Sequence, residues 1–302
     1  MSAEPLQTVD CPSCGQVLEG QSLKPASRFE DCVRRCDDCG IGFSNARQNP
    51  TVIYRDFAMN VPIDFREGLA EVLAQALNIH NRPQKKTKFG FSTSEDAITW
   101  TIFSAVARSG RSAALWRELT GAAPDADHPP RLLLWGVPLE AGDDRAWGVR
   151  RSVEEVSDAL GEDPRWRTEP DVIIDAGSEG IILVEVKYRS PNDYQAPDAR
   201  FDRYLDTLCF NDPAAAKATG LYELIRNWRF GCELAQGRDL LLVNLTRRQH
   251  LQREQQRLSP LVSTLATSDH RRFTAVDWEG LVDRLHLADA PTMLRYLADH
   301  LG

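Results

Sequence analysis

The run Ile181-Ile182-Leu183-Val184-Glu185-Val186-Lys187 restricts the fold of this chain more than any other segment. Its first four residues are all large and apolar, and such a run implies a strand buried on both faces, as in a sheet covered by helices on each side. Glu185 and Lys187 then follow two apart, so they project from the same face. A carboxylate and an ammonium on a buried strand are costly unless they are paired or bind a metal. Taken alone, so short a pattern is ordinarily a strand end reaching water. Its surroundings alter that reading.

Glu169-Pro170-Asp171 leads into a second apolar run, Val172-Ile173-Ile174-Asp175, and the connection from Ala176 to Gly180 carries the glycines of a hairpin. Pro170 fixes the approach and starts the strand at Asp171. Across the hairpin, Asp171 stands near Glu185 at one sheet edge. Two carboxylates and the Val186 carbonyl offer hard oxygen ligands suited to Mg2+ or Mn2+. Lys187, beside them, can orient a water or stabilise negative charge on a phosphate. Asp175 has the same strand parity as Asp171 and is its rival, ranked lower because it lies near the turn.

The rest of the chain supplies helices and strands in a suitable order. An amphipathic helix is expected from Asp64 to Asn78, with Phe65, Leu69, Val72, Leu73 and Leu77 inward. Another is expected from Ser92 to about Arg108. Arg131 to Val137 reads as a buried strand. Ser152 to Leu160 reads as a short helix opened by a Ser152/Glu155 capping box. Residues 191–200 are polar and are expected to be mobile. A helix from Leu221 to Gln236 precedes a buried strand, Asp239 to Leu245. A polar helix, a strand near Phe273 to Val276 and two short helices close the chain. On the helix from Leu221, Arg226 and its neighbour Tyr222 are candidates for a phosphate, although burial habits favour a core Tyr222 and Trp228 beside a surface Arg226. Asn227 lies between them. Tyr188, Arg189 and Ser190 continue from the Glu-x-Lys strand into the polar loop, and the sequence does not show whether they touch a substrate. Cys209 and Cys232 read as buried apolar residues, and the scattered histidines have no metal-ligand spacing.

At 302 residues, 42% hydrophobic and 26% charged, the composition is that of a globular protein with a sizeable core. No apolar run approaches the ~18 residues of a membrane span, and the N-terminus lacks the basic and apolar regions of a secretory signal. A cytoplasmic protein without membrane contact is expected. A net charge of −8 argues against nonspecific coating of nucleic acid, but local phosphate contacts remain open. The basic clusters Arg82 to Lys88, Arg247-Arg248 and Arg271-Arg272 each read more readily as solvated surface than as phosphate sites.

Five of the seven cysteines fall in the first 39 residues, which in a cytosolic chain favours metal over disulfides. Cys11-Pro12-Ser13-Cys14-Gly15 and Cys36-Asp37-Asp38-Cys39-Gly40 are two copies of one knuckle. Two intervening residues let both sulfurs reach one ion at about 2.3 Å. The segment resembles the zinc-ribbon family, which implies a closed, structural Zn2+ site at Cys11, Cys14, Cys36 and Cys39. Cys32 competes with Cys36 as a ligand, and rubredoxin-like iron is a lesser alternative.

Pro170-Asp171 followed by Glu185-x-Lys187 across a hairpin resembles the PD-(D/E)XK nuclease superfamily. The resemblance covers roughly residues 90–280. It implies an α/β restriction-endonuclease-like fold, a mixed sheet flanked by helices, carried here with a small zinc-ribbon module. The expected division is a ribbon at 1–45, a helical, basic linker at 46–90 and the nuclease-like domain at 91–302. The implied activity is Mg2+- or Mn2+-dependent hydrolysis of phosphodiester bonds, with DNA the expected substrate and phage defence or restriction among the possible settings. Asp171 and Glu185 would bind the metal and Lys187 would assist the attacking water. Glu95 would add a ligand or position water, although Ser92-x-x-Glu95 also fits a capping box. The ribbon would place the substrate or a partner protein. The rival expectation is a catalytically inert scaffold of this fold that binds nucleic acid or a partner protein.

Overall fold

A computed structural model describes residues 4–301 other than 23, 141, 191, 193, 195 and 290. Four short strands open it: β1 (Glu4–Pro5), β2 (Val9–Asp10), β3 (Val17–Leu18) and β4 (Gln21–Ser22), paired as β1–β4 and β2–β3. Next, β5 (Arg34–Cys36), β6 (Ile41–Phe43) and β7 (Val52–Tyr54) form an antiparallel sheet. This sheet runs past the expected ribbon end at residue 45, because β7 is its third strand. The segment expected as a linker is also built in. Its helix α1 (Leu69–Gln75) places Leu69, Val72 and Leu73 in the main core, and α2 (Arg82–Phe89) adds Phe89.

The remainder runs α3 (Glu95–Arg108), α4 (Ser112–Thr120), β8 (Arg131–Leu134), β9 (Val137–Pro138), α5 (Asp144–Ala159), β10 (Val172–Asp175), β11 (Ile181–Val186), α6 (Asp198–Asp202), α7 (Pro213–Ala218), α8 (Tyr222–Ala235), β12 (Leu240–Thr246), α9 (Arg248–Val262), β13 (Arg271–Asp277), α10 (Trp278–Arg284) and α11 (Pro291–Leu301). Its strands form one six-stranded mixed sheet in the order β13-β12-β11-β10-β8-β9. β10 is antiparallel to β8 and β11, whereas β11, β12 and β13 are mutually parallel. Helices α8 and α9 make the two parallel crossovers, as such connections require.

The apolar run of β11 is buried on both faces. Ile182, Val184 and Val186 pack with Ile98, Ile102 and Phe103 of α3 and Trp278 of α10. Ile181 and Leu183 face the other way, with Ile225 and Trp228 of α8, Val153 of α5 and Leu258 of α9. Each such side chain contributes about 1.5–3 kcal/mol by leaving water. Helix α8 lies close to the sheet at Gly231, where a Cβ would stand 2.8 Å from Leu240 Cδ1 and 3.1 Å from Leu183 Cδ1. Glu223, Asn227 and Gly231 are spaced by four and share one helix face, so this close approach carries both polar side chains onto β11.

Several local expectations give way to tertiary demands. The Ser92 N–H donates to the Val52 carbonyl, and α3 starts later, capped by Ser94, whose Oγ accepts from the Ala97 N–H. Ser152 lies inside α5, which Asp143 caps by accepting from the Arg145 and Ala146 N–H groups. The expected strand from Arg131 to Val137 turns at Trp135 and Gly136 into the hairpin β8–β9. The helix expected from Asp64 shortens to α1 behind a 3-10 turn at Ile63–Phe65, although Phe65, Leu69, Val72, Leu73 and Leu77 are all buried as anticipated. In the polar stretch 191–200, positions 191, 193 and 195 lie outside the described residues. Its Asn192 is buried, and its last three residues open α6.

Candidate active site and metal centre

Cys11, Cys14, Cys36 and Cys39 bring their sulfurs within 4.8 Å of one another, close enough to hold one metal ion. Each knuckle turns at its glycine, Gly15 (φ 74°) or Gly40 (φ 65°), a conformation that other residues adopt only at a cost. Burial opposes ionisation of the Cys11 thiol, but the Cys14 and Ser13 N–H groups overcome it and bring the thiol down to about 7. Thiolate is the form that ligates metal. Cys32 is not part of the set. It packs with Ala26, Phe29 and Ile53, and its sulfur donates to the Arg28 carbonyl.

The second site is assembled from four elements. Asp171 immediately precedes β10, and the register Val172↔Val184, extended by one, sets it across from Glu185. Its Oδ2 accepts from the Val186 N–H at 2.8 Å. The contact with Val186 thus runs through the amide N–H, while the expected ligand there was the carbonyl. Lys187 Nζ donates to Glu185 Oε1 at 2.7 Å and pairs with Glu223 Oε2 at 2.9 Å. Asn227 Nδ2 donates to Glu185 Oε2 at 2.6 Å. Glu185 and Lys187 are both buried. The Lys187 backbone is pinned as well: its N–H donates to the Leu245 carbonyl, and its carbonyl accepts from Trp278 Nε1.

Glu95 arrives from the first turn of α3. It accepts from the Tyr188 N–H at 2.9 Å and from Ser190 Oγ. The capping-box explanation fails, because the Ser92 N–H is bonded elsewhere and Glu95 faces the chain just past Lys187. Lys85 of α2 pairs with Asp96 (2.9 Å) and Glu169 (3.0 Å) and lies 4.5 Å from the Trp135 ring. This lysine belongs to the basic run read above as solvated surface. Asp175 is held at the far end of β10 by Arg238 at 2.7 Å, roughly 13 Å of strand from Asp171, and stands across from Ile181, away from Glu185.

The electrostatics of the cluster are those of excess negative charge. Burial, then the Glu185 carboxylate, pushes the Asp171 carboxyl well above the usual carboxylate range, against Lys187 and Lys85. Burial raises Glu185 too; Lys187 counters it and Glu223 adds to it. Burial works against the Lys187 ammonium, but Glu185 and Glu223 outweigh it and raise its pKa well above the ordinary lysine value. Lys187 is therefore held charged. Asp171, half-buried, lines an open cavity of about 570 Å³ with Lys88, Glu95, Asp96, Arg189 and Ser190.

The hairpin residues were readable from sequence, and Asn227 and Arg226 only as members of a helix. Arg226 is not on the open surface: it lines a second cavity beside Glu223. Tyr222 and Trp228 are buried, as are Cys209 and Cys232. Glu223 and Lys85 were missed. The four-residue spacing of Glu223, Asn227 and Gly231 was the available signal for Glu223. Tyr188 is buried, its hydroxyl donating to the His300 carbonyl, while Arg189 and Ser190 are exposed at the cavity. Among the described residues, no helix is long and apolar enough to cross a membrane. No protein-family model matches the chain, and neither does any curated protein or solved structure.

Proposed function

We propose that this protein is a metal-dependent nuclease with a restriction-endonuclease-like domain and a structural zinc ribbon. The observation that carries the reading is the meeting of Asp171, Glu185 and Lys187 across the β10–β11 hairpin, with Asp171 open to a cavity. The sheet order, an antiparallel hairpin followed by two parallel crossovers, is consistent with the same family.

The donor set suits Mg2+ or Mn2+: carboxylate oxygens from Asp171 and Glu185, with the Val186 carbonyl adjacent. Asp171 Oδ1 has no hydrogen-bond partner among the described residues, and both carboxylates carry unfavourable negative charge that a dication relieves. When bound, the ion would lower the pKa of a water and offset charge on the scissile phosphate. The chain's own residues do the rest. Lys187, fixed as an ammonium by Glu185 and Glu223, acts as a donor that orients the water or neutralises a phosphate oxygen, and not as a base. Glu95 holds the backbone after Lys187 and places a carboxylate where it can position water. In the reaction the water oxygen bonds to phosphorus, the bond to the leaving oxygen breaks, and the water proton is passed on as that oxygen is protonated.

The test is cleavage of plasmid, single-stranded DNA and RNA with Mg2+, Mn2+ or no added metal. Asp171→Ala, Glu185→Ala and Lys187→Ala should each abolish cleavage with the fold intact by circular dichroism. Loss of either carboxylate should also abolish Mn2+ binding, which Lys187→Ala should largely spare. An inert scaffold has no reason to bind Mn2+ in a Glu185-dependent way. Unchanged cleavage by all three variants would sink the assignment.

A further inference from the structure

Beside the carboxylate site lies a second cavity of about 670 Å³. Its lining includes Lys88 of α2, Trp166 and Arg203, the exposed Tyr194, and Glu223 and Arg226 of α8. The size falls within the range of about 300–1,000 Å³ typical of sites for small organic groups. It adjoins the candidate active site directly, because Glu223 is the residue that pairs with Lys187. Lys88 lines both cavities, so the two are neighbours.

The charge in this cavity favours an anion. Lys88, Arg167, Arg200, Arg203 and Arg226 face Asp163 and Glu223, five cations against two carboxylates. Both carboxylates are engaged, Asp163 with Arg165 and Glu223 with Lys187. Arg167 pairs with Asp158 and the Arg226 guanidinium, despite its burial, is held charged by the nearby Glu185 and Glu223 carboxylates, whereas Lys88, Arg200 and Arg203 form no ion pair among the described residues. Arg226 donates only through Nε, to Asn227 Oδ1, and so leaves both terminal nitrogens for a ligand beside Glu185. Arginines of this kind suit phosphate oxygens.

The cavity also presents aromatic rings. Tyr194 is 48% exposed, and its ring packs at a tilt of 54° against that of Tyr222, with centroids 5.8 Å apart. Trp166 is 39% exposed, with His80 stacked on it at 3.5 Å and the Arg200 guanidinium 5.7 Å from its ring centroid. In a duplex the faces of the bases are covered by their neighbours in the stack. Exposed rings inside a concave, cationic cavity therefore match an unpaired nucleotide, whose base face is free to stack while its phosphates meet the arginines.

We propose that this cavity seats an unpaired nucleotide next to Lys187, so that the site acts on single-stranded nucleic acid in preference to duplex. The proposal rests on the nuclease reading and adds the substrate class to it.

The test is binding of the full chain, without added divalent metal, to labelled oligothymidylate, oligouridylate and a blunt DNA hairpin, followed by anisotropy. Single strands should bind at least about tenfold more tightly than the hairpin. Loss of one base-stacking contact corresponds to roughly 5- to 150-fold in affinity. Tyr194→Ala and Trp166→Ala should thus weaken single-strand binding by about tenfold or more, and Tyr194→Phe, which keeps the ring, should restore it. Arg203→Glu should reduce the salt dependence of binding. A shared preference for both oligomers, or for either one, over the hairpin supports the proposal. Equal or tighter hairpin binding, or wild-type single-strand affinity in both Tyr194→Ala and Trp166→Ala, overturns it. Failure of the nuclease reading gives a different result, single-strand binding with no metal-dependent cleavage of any substrate. Failure of this proposal alone gives cleavage without single-strand preference.

Discussion

The chain carries two candidate metal centres, and they are built in opposite ways. At the cysteine cluster, all four ligands come from two copies of one local turn, and the paired knuckles present their sulfurs to each other. At the carboxylate cluster, Asp171, Glu185, Lys187, Glu95, Glu223 and Asn227 come from a hairpin and two separate helices. The first centre is a local device that the rest of the domain tolerates. The second exists only when the sheet and its covering helices are in place. A local centre is lost together with its own segment, whereas a distributed one can lose function while the fold survives.

The largest effect that tests this contrast is at the cysteines. Cys36→Ser together with Cys39→Ser should release about one zinc per chain, as the four-thiolate site requires, and should unfold the segment through β7, because metal binding and folding are coupled in such modules. Metal analysis and hydrogen exchange would read both outcomes, with the six-stranded sheet remaining protected. Retained zinc, or loss of protection across the whole chain, would break the contrast.

A smaller effect is expected at Glu95, where charge and structure separate. Glu95→Gln keeps an acceptor for the Tyr188 N–H but lacks the charge and basicity needed to position water. Cleavage should fall about a hundredfold, within the range for positioned proton-transfer groups, with stability within about 1 kcal/mol of wild type, the scale of one hydrogen bond. Near-normal cleavage would make Glu95 a purely structural residue.

The smallest effect belongs to the helix α8 contacts. Glu223→Gln removes a negative charge from beside the Lys187 ammonium and Asn227→Ala removes a donor from the Glu185 carboxylate, each a change of about 1.5–3 kcal/mol. We expect roughly tenfold slower cleavage from each, with metal content at the cysteines unchanged. If the pair together costs no more than either alone, α8 supports the hairpin as one unit; a multiplied loss would show two independent supports.

These three levels also mark how far the sequence could be read. The knuckles and the Asp171/Glu185/Lys187 hairpin were legible because their spacing is local and because a charged pair two apart interrupts a continuous apolar strand. The identity of the β11 neighbours was legible in outline from the order of apolar segments. Glu223 was hidden because a lone glutamate on a helix is ordinarily solvated. Lys85 was hidden because its run of basic neighbours resembles a surface, and its partners Asp96 and Glu169 approach only after α2 packs on α3 and on the segment leading into β10. The start of α3 was misjudged for a related reason: Ser92 satisfies a local capping rule, yet its N–H is taken by Val52.

That last hydrogen bond is one of several by which β7 is held from both sides. Val52 and Tyr54 pair with Phe43 and Ile41 of β6, while Tyr54 N–H meets the Gly90 carbonyl and Ile53 bridges Phe91. A chain shortened to begin at residue 46 would keep β7 but expose the edge that β6 covers, leaving a row of unpaired N–H and C=O groups beside Val52, Ile53 and Tyr54. Bare edges of that kind recruit further strands from other molecules. The cysteine-bearing segment is thus also a shield against self-association, and a cut on either side of β7 breaks hydrogen bonds, to β6 on one side or to the Gly90–Ser92 segment on the other.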